Sequence, residues 1–85
     1  MKVILTGSFT NTGILFHCLK QLSATSIKGF GEEISDEKIE LHLSGPQAEV
    51  EKFMRWCKSG EHHLPISSVE VFPSEEEFQE EFFII

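Results

Sequence analysis

Between Gly7 and Gly13 the chain reads Gly-Ser-Phe-Thr-Asn-Thr-Gly, and His17 follows a few residues on. Backbone amides in such a loop, set between a strand and a helix, can cradle an anion whatever side chains it carries. Ser8, Thr10 and Thr12 add hydroxyl donors, and Asn11 and Gly13 complete the segment. Phe9 interrupts it, and either folds over the site or packs on the end of the sheet. His17 is placed to be a pH-dependent anion ligand, charged below its ordinary pKa of about 6.5, at a helix N-terminus that already favours negative charge. The competing reading is an ordinary strand-to-helix turn with a polar residue on the first turn of the helix.

Other reactive side chains suggest less. His42, His62 and His63 with Glu61 invite a metal, but adjacent histidines diverge on a regular element and nothing supplies a third or fourth ligand. No metal or cofactor is therefore expected, and His62 and His63 are expected to face solvent. Cys18 and Cys57 each sit on the apolar stripe of a predicted helix, where a reduced cysteine is a small hydrophobe. A disulfide between those helices is conceivable, but reduced thiols are the expectation. The run Glu75-Glu76-Glu77-Phe78-Gln79-Glu80-Glu81 contains no base. It reads as a solvated segment with Phe78 packed inward, or as an acidic surface for a basic protein partner.

These groups must be positioned by a small fold. Eighty-five residues, 40% of them hydrophobic, suffice for one domain, 1–85, with one modest core. No apolar run approaches the roughly 20 residues needed to span a bilayer. Met1 to Gly7 has too short an apolar stretch for a signal peptide, so no membrane association and a cytoplasmic location are expected. The charge is one-sided. Lys2, Lys20 and Lys28 are unopposed before residue 32, whereas all 14 acids lie at or beyond it, giving a net charge of −7. Nucleic-acid binding needs clustered cations, and this chain lacks them.

The element order follows from periodicity. Lys2–Thr6 reads as a strand. Leu15, Cys18, Leu19 and Leu22 fall on one face of a helix, with Thr12 or Asn11 as its N-cap. Ser26–Gly31 reads as a second strand, joined by a hairpin around Ser35-Asp36-Glu37 to a third, where Ile39, Leu41 and Leu43 alternate inward. His42 is expected with Glu40 on the opposite face. Gly45-Pro46 opens a second helix, proline suiting its first turn, with Val50, Phe53, Met54 and Cys57 on one side and Gly60 as its stop. Trp56 is expected at the core or its edge. Ser67–Phe72 alternates again, with Val69 and Val71 inward, and Phe82–Ile85 reads as a short last strand. Strand, helix, strand, strand, helix, strand is the split βαβ order of an α+β, ferredoxin-like βαββαβ sandwich, whose helices cover one sheet face.

Three segments in this frame resemble the acylphosphatase family. They are Gly13-Ile14-Leu15-Phe16-His17, Gly29-Phe30-Gly31-Glu32-Glu33, and Val50 through Phe53, Trp56 and Cys57 to Gly60. The closing Phe82-Phe83-Ile84 is similar to the family's last strand. The resemblance implies an acylphosphatase-like sandwich and a first loop whose amides, with an arginine, hold the phosphoryl group of an acyl phosphate. It also implies a strand asparagine that orients the attacking water. In this chain His17 stands at the arginine position and Glu33 at the asparagine position, and Gly7 and Gly13 are six apart where the family has four.

The replaced residues decide the expected function. Arginine offers a permanently charged fork to a phosphoryl dianion, and imidazole does not. Glu33 adds a negative charge where the substrate is already negative. The leading expectation is a non-catalytic acylphosphatase-like domain acting as a small acidic protein-binding or regulatory module, through Glu75, Glu76, Glu77, Glu80 and Glu81. One alternative is an acyl phosphate hydrolase with a rebuilt anion site, loop 7–13 and protonated His17 holding phosphate and Glu33 acting as base. Another is an inhibitor whose acidic end mimics nucleic acid toward a basic partner.

Overall fold

Strand alternation closes the sheet. The structure is a computed structural model that describes residues 1–60 and 62–85. In β1 (Lys2–Gly7), Val3 and Leu5 are fully buried, while Lys2, Ile4 and Thr6 lie on the other face. β3 (Lys38–Ser44) buries Ile39, Leu41 and Leu43 and pairs antiparallel with β1, Leu5 opposite Ile39 and Val3 opposite Leu41. With β2 (Lys28–Ser35), β4 (Ile66–Phe72) and β5 (Phe83–Ile84), the strand order is β4-β1-β3-β2-β5. All pairings are antiparallel except that of β2 with β5.

Both helices pack on the face that carries Val3, Leu5, Ile39, Leu41 and Leu43. α1 (Ile14–Leu22) contributes Ile14, Leu15, Cys18 and Leu22, and α2 (Gln47–Ser59) contributes Val50, Phe53, Met54 and Cys57. Each large aliphatic or aromatic side chain so buried stabilises the fold by about 1.5–3 kcal/mol. Trp56 stacks on Phe53 at the core edge, centroids 5.7 Å apart. Gly60 ends α2 in the left-handed conformation, φ 74°, a position that glycine occupies without steric cost. The result is the α+β, ferredoxin-like sandwich with a short extra strand. Among the described residues no helix is long and apolar enough to cross a membrane.

Several local expectations are corrected. The second strand runs over Lys28–Ser35 rather than Ser26–Gly31, because Glu32, Glu33 and Ser35 continue the ladder opposite Glu40, Ile39 and Lys38 of β3. Neither Asn11 nor Thr12 caps α1. Gly13 holds the N-cap position at φ 64°, and the Thr12 hydroxyl donates back to the Phe9 carbonyl. Pro46 is the N-cap of α2 rather than a first-turn residue. Leu19 and Val69 are only half-buried. Val71 is 39% exposed, since β4 is an edge strand. Phe78 packs not into the main core but edge-on against Phe30, on the face the helices leave uncovered.

Candidate functional site: the strand–loop–helix end

β1 leaves the sheet at Gly7, where an added Cβ would lie 2.0 Å from the Pro65 carbonyl oxygen and 2.8 Å from the Phe9 ring. Only glycine lets the chain pass so close to that backbone. The loop then fastens itself to its neighbours. The Gly7 amide donates to the Glu37 carbonyl (3.0 Å), Ser8 to Pro65 (3.2 Å), Phe9 to Asp36 (2.7 Å) and Thr12 to Phe9 (3.1 Å). Phe9 itself is buried, 4% exposed, so it packs on the end of the sheet rather than folding over a site.

Of the candidate anion ligands, then, Ser8, Phe9 and Thr12 donate their amides to protein carbonyls. Those of Thr10, Asn11 and Gly13 have no protein acceptor among the described residues. The same holds for Ile14, Leu15 and Phe16 in the first turn of α1, amides that a helix start always leaves over. Asn11 is held at φ 58°, which turns the chain toward Gly13.

His17 lies on the first turn of α1, exposed. Its side chain makes no hydrogen bond or ion pair among the described residues. Glu33 is exposed on β2, opposite Ile39 and two residues past Gly31, whose Cα abuts Leu15 of α1. It too lacks a side-chain partner among the described residues. Both belong to the end of the sheet where the loop lies. That end also carries Asp36 and Glu37 of the hairpin to which the loop is bonded. Three acidic residues, Glu33, Asp36 and Glu37, therefore belong to the end of the sheet where the loop lies, with Lys38 opposite Thr6.

Neither thiol adds chemistry. Burial pushes Cys18 up to about 12, and burial together with the neighbouring Cys18 pushes Cys57 up as well. Both are free and buried, and a protonated, enclosed thiol is a poor nucleophile and metal ligand. No three His, Cys, Asp or Glu residues gather as metal ligands among the described residues; Glu61 lies outside them. His62 does not face solvent. Its Nε2 lies 3.2 Å from the Cys57 carbonyl and its Nδ1 accepts from the Leu64 amide at 2.9 Å, with Trp56 against the ring.

His42 lies with Glu40 on the uncovered sheet face, as expected, but sequence reasoning missed its stacking on Phe30. There His42 lies flat on Phe30 (centroids 4.6 Å, planes 16° apart) and 2.9 Å from a Glu40 carboxylate oxygen. The alternations Lys28-Phe30-Glu32 and Lys38-Glu40-His42 carried that signal.

The split βαβ sandwich and its strand–loop–helix end define the class as acylphosphatase-like. The chain belongs to the acylphosphatase family, whose model matches residues 1–85. Relatives include an acylphosphatase from Deinococcus radiodurans, 23% identical over 84 residues and covering 99% of this chain and 97% of that protein. One from Chloroflexus aurantiacus is 25% identical over 83 residues, 98% of this chain and 90% of that protein. Among solved structures, acylphosphatase from Bacillus subtilis superposes with a TM-score of 0.87 at 19% identity, covering 99% of this chain and 94% of that one. HypF from T. kodakarensis matches with a TM-score of 0.76 at 15% identity; the match covers 98% of this chain and 11% of HypF.

Proposed function

We propose that this chain is a non-catalytic acylphosphatase-family domain that works as a small acidic protein-binding module. One observation carries the reading: the first half of the loop points its amides at the carbonyls of Glu37, Pro65 and Asp36. Those donors are unavailable to an anion. The side chain at the position the resemblance gives to arginine is an imidazole, and Glu33, Asp36 and Glu37 add like charge around it. Losing one preorganised donor to a developing charge lowers turnover by about 100- to 1000-fold. Losing the charged clamp as well deepens the deficit.

A second reading is favoured by the relatives, which bear the name acylphosphatase, and by the unpaired amides from Gly13 to Phe16. In it these amides and protonated His17 hold the phosphoryl group. Glu33 takes a proton from the water that attacks phosphorus, and the carboxylate leaves.

Acetyl phosphate hydrolysis at about pH 5.5 and about pH 7.5 separates the two, because the second reading needs a protonated imidazole, which acid favours. Wild type, His17→Ala and His17→Arg with Glu33→Asn are compared. The first reading expects background rates from wild type at both pH values. Wild-type turnover that rises toward acid and vanishes in His17→Ala would overturn it in favour of the second. Turnover by the double variant alone would mark a scaffold that lost activity through those two positions.

A further inference from the structure

We infer that the uncovered face of the sheet docks an extended, arginine-bearing segment of a protein partner. This rests on the reading of the chain as a binding module and names the surface it uses. Both helices lie on the other face; here Phe78 packs edge-on against Phe30 and His42, and the remaining side chains follow the strand register. One row across the strands is aromatic: Phe72 of β4, Lys2 of β1, His42 of β3, Phe30 of β2 and Phe83 of β5. Phe72 and Phe83 are 43% and 40% exposed, large apolar surfaces to leave in water. The next row is acidic: Glu70, Ile4, Glu40 and Glu32. Lys28, beside Ser44, and Lys38, beside Thr6, stand one row beyond on either margin.

The acidic row is unfavourable for the protein alone. Glu32 and Glu40 are direct cross-strand partners, and like charges so placed destabilise a sheet. Glu40 is relieved by His42 at 2.9 Å and Lys2 at 4.0 Å. Glu32 and Glu70 have no hydrogen bond or ion pair through their side chains among the described residues. A cation arriving between them would relieve a repulsion as well as form a contact.

Lys2 shows what the surface accepts. Its ammonium lies 5.1 Å from the centre of the Phe72 ring and 4.0 Å from Glu40, a cation held between an aromatic face and a carboxylate. Phe83 of β5 and Glu32 of β2 stand one row apart on the same face, a pairing of ring and carboxylate with no ion pair or ring–cation contact among the described residues. Guanidinium suits it better than ammonium, since it stacks on a ring and forks a carboxylate at once. Strands spaced about 4.8 Å apart put Glu70 and Glu32 roughly 14 Å apart, the reach of positions i and i+4 in an extended chain. That span favours a polypeptide over free arginine. Phosphate backbones would meet the acidic row, so nucleic acid is disfavoured. The chain's net charge of −7 draws a basic partner in.

The test uses a peptide of about ten residues with arginine at every fourth position, matched to the extended spacing. Binding is followed by amide chemical shifts and calorimetry. Shifts are expected in β1, β3, β4 and the face of β2. Glu32→Gln with Glu70→Gln should weaken Kd about tenfold, threefold for each exposed carboxylate. Phe72→Ser should weaken it about threefold, and a lysine version of the peptide should bind less tightly. These residues are exposed or half-buried, and the dispersion of the amide spectrum reports whether each variant folds. No binding at millimolar peptide overturns the inference. So do shifts confined to residues 74–81 that Glu75→Gln with Glu76→Gln and Glu77→Gln abolishes, or preference for a single-stranded oligonucleotide. Acetyl phosphate turnover, read on the same samples, tests the non-catalytic reading separately. Peptide binding with turnover would remove that reading and leave the surface, whereas neither would do the reverse.

Discussion

Gly29→Ala gives the severest test of the strand pairing, because Gly29 holds β2 against β3, opposite Leu43, at the end of the sheet away from the loop. Its φ is 138°, outside the region that side-chain-bearing residues adopt, and an added Cβ would lie 1.8 Å from the His42 carbonyl oxygen. The carbonyl carbon of His42 and the Cα of Leu43 follow at 2.8 and 3.1 Å, so every neighbour is backbone and none can turn aside. Two costs combine. Holding alanine at that φ costs about 1–3 kcal/mol. Moving the strands apart gives up ladder hydrogen bonds at about 1 kcal/mol each. The total, about 3–5 kcal/mol, is a large share of the roughly 4–13 kcal/mol that keeps a chain of this length folded. At about 4–8 °C per kcal/mol, Tm should fall by about 12–40 °C. Gly31→Ala is the control. There a Cβ meets only side-chain ends, Leu15 Cδ2, Leu41 Cδ2 and Phe82 Cζ, each at 2.9 Å. Overpacking of about 1–3 kcal/mol is offset by about 0.4–1 kcal/mol of unfolded-chain entropy, leaving a fall near 1 kcal/mol. Calorimetry or urea melts of both variants decide it. If Gly29→Ala melts within a few degrees of Gly31→Ala, the strand contact described here is wrong.

Three further outcomes follow from particular contacts. Glu32→Gln should raise stability by about 0.5 kcal/mol by ending the repulsion with Glu40, and the gain should shrink in high salt. An unchanged or lower urea midpoint would contradict it. The folded Cys18 thiol is raised from 9.0 to about 12, so the stability that burial lends is complete below pH 9 and lost as pH rises toward 12. At about pH 10.5 that loss is about 2 kcal/mol, at 1.36 kcal/mol per pH unit, and should be smaller in Cys18→Ala when urea midpoints at pH 8 and 10.5 are compared. His62→Ala should cost about 1–2 kcal/mol by leaving the Cys57 carbonyl and Leu64 amide unpaired, whereas His63→Ala should be close to neutral.

Helices and strands with strong periodicity were legible in the sequence. Val50, Phe53, Met54 and Cys57 are all buried on α2, and Ile39, Leu41 and Leu43 alternate inward on β3 as expected. The weak reading was β2. Gly29-Phe30-Gly31-Glu32-Glu33 has poor strand propensity, and what holds it is its ladder with β3, with Leu15, Leu41 and Phe82 filling the space over Gly31. Val71 has the right parity for the core, yet on an edge strand that α2 covers only in part it stays exposed. Asn11 and Thr12 are good capping types, but the loop turns at φ 58° and 64° and hands the cap to Gly13. The resemblance located His17 and Glu33. What the loop amides do could not be read locally, since their acceptors, the Asp36, Glu37 and Pro65 carbonyls, come from distant parts of the chain.

On the proposed non-catalytic reading, those carbonyls bear on how a family fold can outlive its chemistry. A loop of outward-facing amides is costly to keep, since each unpaired donor prefers water or an anion to a packed surface. In this chain the loop carries Phe9, buried at 4% exposure, and its neighbouring amides close onto protein oxygens. The segment thereby stabilises the end of the sheet in the absence of any ligand. On the proposed reading, the two extra residues between the glycines supply the slack for this inward closure. An anion would then have to compete with three intramolecular hydrogen bonds and with the charge of Glu33, Asp36 and Glu37. Restoring arginine at position 17 supplies charge but does not release those amides. Even the doubly reverted protein should therefore remain well below the rate of a relative whose loop amides are free. Shortening the loop by two residues together with the reversion should raise turnover further. If the double reversion alone reached the relatives' rate, the closure of the loop would have no part in the inactivity that the proposed reading expects.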